Sequence, residues 1–219
     1  MLVVSYIAVG CRKDNESNST VRDIDGNEYH IVKIGTQVWM GENLKTTKFN
    51  DGSSISLVSY NAEWENLNSD GFCWYDNDSI SYKNAYGALY NWNAINTGKL
   101  APIGWHVASD EDWATLITYL GGDTVAGGKL KEKGTSHWAV PNIGATNESG
   151  FTGIPGGYRQ TDGKFFEIGQ SLNLWSSTNA TSDNDYFRGI GYNYKSITRG
   201  TYNKRCGFSV RCVMNTITP

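Results

Sequence analysis

The stretch Gly150-Phe-Thr-Gly-Ile-Pro-Gly-Gly-Tyr-Arg159 decides how this chain is read, together with Leu174-Trp-Ser-Ser-Thr178 and Gly207-Phe-Ser-Val-Arg-Cys212. In all three, glycines or small hydroxyl residues stand next to large aromatic ones. Glycine lets one backbone come close to another, and aromatic rings fill large interior volumes. The clusters read as the closely packed, loop-rich half of a small secreted domain. They carry no catalytic signature.

Working outward, the chain has 219 residues, enough for one sizeable domain or two small ones. Twenty-five glycines and 13% aromatic residues against 19% charged ones describe a globular chain rich in turns. A net charge of -3 leaves no electrostatic footprint for nucleic acid or an anionic membrane. No apolar run reaches the length of a membrane-spanning helix.

Met1-Leu-Val-Val-Ser-Tyr-Ile-Ala-Val-Gly10 is almost wholly apolar and runs straight into Cys11. It fits the apolar region of a secretory signal. Ala8-Val-Gly-Cys11 resembles a bacterial lipobox, in which the cysteine is lipid-modified and begins the mature protein. No Lys or Arg precedes the run, which points to a start upstream of Met1. The bland alternative is a buried N-terminal strand. The polar run Arg12-Lys-Asp-Asn-Glu-Ser-Asn-Ser-Thr20 reads as a solvated tether. Its charges directly after the cysteine are similar to the surface-export signals of Bacteroidota-type lipoproteins. Residues 1–20 are thus expected to be a lipoprotein signal and tether, and residues 21–215 one domain.

Within that domain, Asp25-Gly26, Asp51-Gly52 and Asp162-Gly163 are turn signals. Strands are expected at Tyr29–Ile34, Thr36–Met40, Phe165–Ile168, Leu174–Ser177, Tyr186–Tyr192 and Gly207–Val213. Ala85, Ala88, Leu89 and Trp92 predict a helix over Asn84–Ile95. Ser109 predicts the cap of a second helix, with Asp110, Glu111 and Asp112 in its first turn. Trp113, Leu116, Ile117 and Leu120 are its buried stripe, and Gly121-Gly122 ends it. A short helical turn is expected around Gly128–Lys133. Two early helices and a β-rich, loop-rich second half make the fold class α+β.

Export would place Cys73, Cys206 and Cys212 in an oxidising compartment. Cys206 and Cys212 lie on one expected strand, roughly 20 Å apart at about 3.3 Å per residue, too far to bond. A bridge would then join Cys73 to one of them. The competing reading is three reduced, buried thiols.

A resemblance rests on motifs in order along the chain: Ile34-Gly-Thr-Gln-Val-Trp-Met-Gly-Glu-Asn-Leu44, Tyr86-Gly-Ala-Leu-Tyr-Asn-Trp92, Gly104-Trp-His-Val107, Ser109-Asp-Glu-Asp-Trp113, Asn147-Glu-Ser-Gly-Phe151, Pro155-Gly-Gly-Tyr-Arg159, Trp175-Ser-Ser-Thr178 and Gly207-Phe-Ser-Val-Arg-Cys212. Together these resemble the Fibrobacter succinogenes major paralogous domain family, over about Val21 to Asn215. The resemblance implies an exported protein of unknown biochemical function and a single C-type-lectin-like domain, a superfold shared with formylglycine-generating enzymes; with the lipobox it makes a lipid-anchored protein of the outer membrane the expectation. It also implies a Cys73–Cys212 bridge with Cys206 free. The family's usual Cys-Pro is replaced here by Ala101-Pro102-Ile103, which removes one potential bridge partner.

Catalysis finds little footing. His30, His106 and His137 have no metal-ligand spacing and read as structural or surface residues. Cys206 and Cys212 are spaced wrongly for the copper-binding pair of the related oxidases. Asp76 and Asp78 are weak calcium candidates in Tyr75-Asp-Asn-Asp-Ser79, as are the carboxylates of Ser182-Asp-Asn-Asp185, but Asx-rich loops are more often turns. No cofactor is expected, and no enzyme. Trp39, Trp92, Trp105, Trp113 and Trp175 read as core. Tyr158, Tyr186 and Tyr192, with Arg159 and Arg188, are the expected ligand surface; Tyr194, Tyr202 and Arg199 belong to the same loop-rich half. Exposed rings and polar handles suit glycans. The expected role is non-catalytic binding or display at the cell surface, towards glycans or envelope proteins. The runner-up is a structural, fimbria-associated subunit.

Overall fold

The computed structural model describes residues 19–216. Cys11, the expected lipidation site, lies outside them. Along the chain run β1 (Thr20–Arg22), β2 (Glu28–Ile34), β3 (Gln37–Met40), α1 (Asn61–Glu65) and β4 (Phe72–Cys73). A 3-10 turn at Tyr75–Asn77 leads to α2 (Ser79–Tyr86), β5 (Leu89–Tyr90), α3 (Trp92–Asn96), β6 (Trp105–Val107), α4 (Asp110–Tyr119) and α5 (Asp123–Leu130). The second half holds β7 (Gly156–Arg159), β8 (Phe165–Ile168), β9 (Ser171–Asn179), β10 (Asn184–Gly191), β11 (Thr198–Asn203) and β12 (Cys212–Met214). The result mixes helix and sheet, with strands dominating the second half.

Two five-stranded sheets, in the orders β1-β2-β3-β12-β6 and β11-β10-β9-β7-β8, are joined through the stretch before β12. Gly207 exchanges two backbone hydrogen bonds with Arg159, and Phe208 two with Tyr90. Ser209 donates to Asn173 and accepts from Trp175. Val210 then accepts from Leu44, and Arg211 from Ala108, before β12 inserts between β3 and β6. The expected strand Gly207–Val213 is therefore a thread that visits one partner after another, and only its end is a ladder strand.

One core cluster holds Trp175, Phe208, Tyr90 and Trp92. Trp175 stacks on Phe208 at 4.4 Å. A second lies under α4 and α5, where Trp39, Trp113 and Phe151 meet at 4.8–5.9 Å between ring centres. All five tryptophans read as core are buried.

Helix α4 follows its sequence. Ser109 and Asp112 form a capping box, Trp113, Leu116 and Ile117 are buried, and Gly122 N–H closes the end on Ile117 O at 2.9 Å. The helix expected over Asn84–Ile95 does not form as one. Gly87 sits at φ +76°, and a Cβ there would lie 2.8 Å from both Asn43 Cβ and Leu44 O. The chain turns at Gly87, and Leu89–Tyr90 becomes a strand facing Phe72–Cys73. Tertiary pairing overrides the helical spacing of Ala85, Ala88, Leu89 and Trp92. The turn expected at Gly128–Lys133 is instead the end of α5, which starts five residues earlier. Its Gly127 and Gly128 pack directly on the backbone: a Cβ would meet Ser196 O at 2.2 Å and Gly144 O at 2.4 Å.

Candidate functional site

Most motif residues are committed to the frame. Arg211 is fully buried and answers to no carboxylate: its guanidinium donates to Met40 O, Phe151 O, Thr152 O and Asn43 Oδ1 at 2.6–3.0 Å. Burial pulls its pKa down to about 9. Asn147 completes the arrangement by gripping Thr152, accepting from its N–H at 2.9 Å and donating to its Oγ1 at 3.0 Å. That clamp holds Thr152 at φ +50°, an uncommon backbone state for a β-branched residue, and its carbonyl meets Arg211. Lys131, also fully buried, gives its ammonium to Ile143 O, Gly191 O and Tyr194 O.

Arg159, expected on a ligand surface, belongs to this group. It is fully buried, donates to Val58 O, Ser59 O, Gly163 O and Asn61 Oδ1, and lies between the Trp64 and Phe165 rings. Tyr158 is half-buried among Phe166, Tyr202 and Phe208, and Tyr192 packs against the second core cluster. Each is corrected for the same reason: strand β7 and the end of β10 run through the interior.

The expected Cys73–Cys212 bridge is absent. Both are free buried thiols, Cys73 in one core cluster and Cys212 in another; Cys206, in the same cluster as Cys212, is also free, and its Sγ donates to Gln160 Oε1. Burial pushes Cys73 and Cys206 up to about 12 and raises Cys212 as well, so the thiolate is disfavoured. Of the calcium candidates, Asp78 caps α2 by accepting from Ile80 and Ser81 N–H, and exposed Asp76 sits in the turn before it. Asp185 is buried, accepting from Ala180 N–H and facing Lys204 Nζ at 3.2 Å. Among the described residues no three His, Cys, Asp or Glu side chains gather around a common point. Each histidine is paired with a carboxylate: His30 with Glu42, His106 with Asp112 and His137 with Glu132.

Two expected residues do come together. Tyr186 and Arg188 are two apart on β10 and so share a face. Arg188 stands opposite Arg199 of β11. That face meets the start of α4, where Asp110 accepts from Arg188 Nη2 at 2.6 Å and from Arg199 Nε at 3.0–3.1 Å. Arg199, half-exposed, lies over the Tyr186 ring at 3.8 Å. Its pKa is raised by the hydrogen bond to Asp110, while burial lowers that of Arg188. Arg188 is thus not a surface residue, at 3% exposure, but lines the inner wall of a cleft of about 280 Å3. Ala114 and Ile117 supply apolar surface, and Thr118 and exposed Asp123 also line the cleft. Asp110 reads in the sequence only as a helix-dipole residue and Asp123 is not singled out there; the signal for both lies in the Arg188–Arg199 register, which sequence does not show.

A larger groove of about 740 Å3 runs past His106, Gln37 and Asp112. Three of its polar groups are tied together: His106 faces Asp112 Oδ2 and Asn215 Oδ1, and Gln37 donates to Asp112. In the smaller cleft, Arg188 Nε has no partner among the described residues. Among the described residues the Asp123 side chain has no hydrogen bond and no cation within ion-pair distance, although its charge acts on Arg188. The smaller cleft is therefore the candidate site.

No curated protein and no solved structure matches the chain. The model of the Fibrobacter succinogenes major domain matches residues 32–214. That span takes in the Arg211 and Arg159 frames and every residue of the cleft, and the chain belongs to this family.

Proposed function

We propose that this protein is a non-catalytic, C-type-lectin-like binding domain. A lipid on Cys11 holds it at the outer membrane, and it engages glycans through the cleft between α4, β10 and β11. One observation carries the reading: two guanidiniums and two carboxylates line an open cleft, with the Tyr186 ring against Arg199. Side chains of this kind recognise hydroxyl-rich ligands by hydrogen bonds at the rim. Ser109-capped α4, packed against a strand-rich second half, supports the lectin-like comparison. Among the described residues no helix is long and apolar enough to cross a membrane.

The test is a glycan array probed with the full chain in detergent, beside an Arg199→Ala variant. Retention of a glycan by the first and not the second is expected. An array blank for both favours a structural surface subunit. Anchoring is checked by fractionation: Cys11→Ser is expected to leave the membrane fraction, and unchanged partitioning overturns the anchor.

A further inference from the structure

The cleft's charges define what it can hold. We infer that its ligand is an uncharged sugar ring presenting two neighbouring hydroxyls, bound between Asp123 and Arg188. This inference rests on the cleft being the binding site proposed above.

Four charged groups line the cleft: Asp110, Asp123, Arg188 and Arg199. Two positive and two negative charges cancel, so the cleft as a whole gives little attraction to an anion or a cation. Asp110 is already shared by both guanidiniums and has little left for a ligand. Arg199 directs its Nε and Nη2 to that carboxylate and its face to Tyr186. Asp123 and Arg188 keep unused capacity. Asp123 is an acceptor with no donor among the described residues. Arg188 gives only Nη2 to Asp110.

A donor group and an acceptor group lining one small cleft match adjacent hydroxyls. One hydroxyl donates to the carboxylate, and its neighbour accepts from the guanidinium. Ala114 and Ile117 then face the C–H edge of the ring. A ligand carboxylate would satisfy Arg188 but would also meet the charge of Asp123, a repulsion that an uncharged hydroxyl avoids. The volume of about 280 Å3 suits one ring at the end of a glycan rather than an extended chain.

Saturation-transfer NMR on the full chain in detergent, with methyl α-mannopyranoside, methyl β-galactopyranoside, glucuronate and alanine as probes, tests this. A methyl glycoside is expected to receive saturation, and Asp123→Ala to weaken it by about tenfold or more, since a hydrogen bond to a charged group is lost. Asp123 is exposed, and an unchanged melting temperature confirms that the variant folds. Glucuronate binding in place of the glycosides overturns the uncharged class and leaves the glycan reading standing. Alanine binding alone replaces a sugar with a zwitterion. Glycoside binding indifferent to Asp123→Ala removes the pairing from this cleft. Silence from every sugar, joined to a blank array, removes the glycan reading itself.

Discussion

Arg211 and Arg159 on one side, and Arg188 and Arg199 on the other, are the same side chain in opposite employment. The first pair lies fully buried, and its donors end on main-chain carbonyls and Asn side chains. Such acceptors are fixed by the fold, so the guanidinium acts as a many-armed tie between segments far apart in sequence. Arg211 joins Met40 to Phe151 and Thr152, and Arg159 joins Val58 and Ser59 to Gly163. The second pair shares one carboxylate at a cleft and keeps donor capacity in hand. Saturation by the backbone marks structure; incomplete saturation beside an opening marks a site.

The strongest way to break this contrast is Arg211→Met. Each buried acceptor left without a donor costs about 1–3 kcal/mol, and relaxation recovers part of it. A loss of about 3–5 kcal/mol is expected in equilibrium urea unfolding. A loss under about 1 kcal/mol would place Arg211 with the cleft arginines.

A smaller, pH-dependent effect sharpens the contrast at the neighbouring groove. The hydrogen bond to Asp112 raises the His106 pKa above its usual 6.5, with burial opposing. Asp112 pays a burial penalty, yet hydrogen bonds from His106 and Ser109 hold it at about 2. The folded state therefore keeps the His106 proton to higher pH than the unfolded chain. Its stabilisation is complete below about pH 6.5 and is lost as pH rises through the raised value. Melting curves from pH 5 to 9 are expected to show this decline in the wild type and a flatter profile in His106→Gln. Parallel profiles would mean that the pair contributes nothing.

The smallest stability effect belongs to Arg199→Ala. Its ion pair is half-exposed, and such pairs contribute about 0–1 kcal/mol. Melting is expected to stay nearly unchanged while glycan retention is lost. A large drop in melting temperature would make Arg199 part of the frame.

Much of the fold was legible locally. Ser109, Asp112 and the stripe of Trp113, Leu116 and Ile117 specify α4, because caps and helical periodicity act within a few residues. Phe165–Ile168 was placed at its observed ends, fixed by the Asp162-Gly163 turn. Asn84–Ile95 was misread because a helix and a turn-plus-strand share its apolar spacing, and only the close approach of Asn43 and Leu44 to Gly87 chooses between them.

The sequence by itself determined the family, the capped helix, the turns and which tryptophans are interior, since these follow from periodicity, capping and ordered motifs. Only the tertiary structure decided what each arginine does. Arg159 and Arg188 read alike along the chain, each near a tyrosine in a glycine-rich strand. One is enclosed by carbonyls brought from a hundred residues away, and the other is set against Asp110 by strand register and a helix start. A guanidinium's role depends on which acceptors surround it, and those acceptors become its neighbours only when the chain folds.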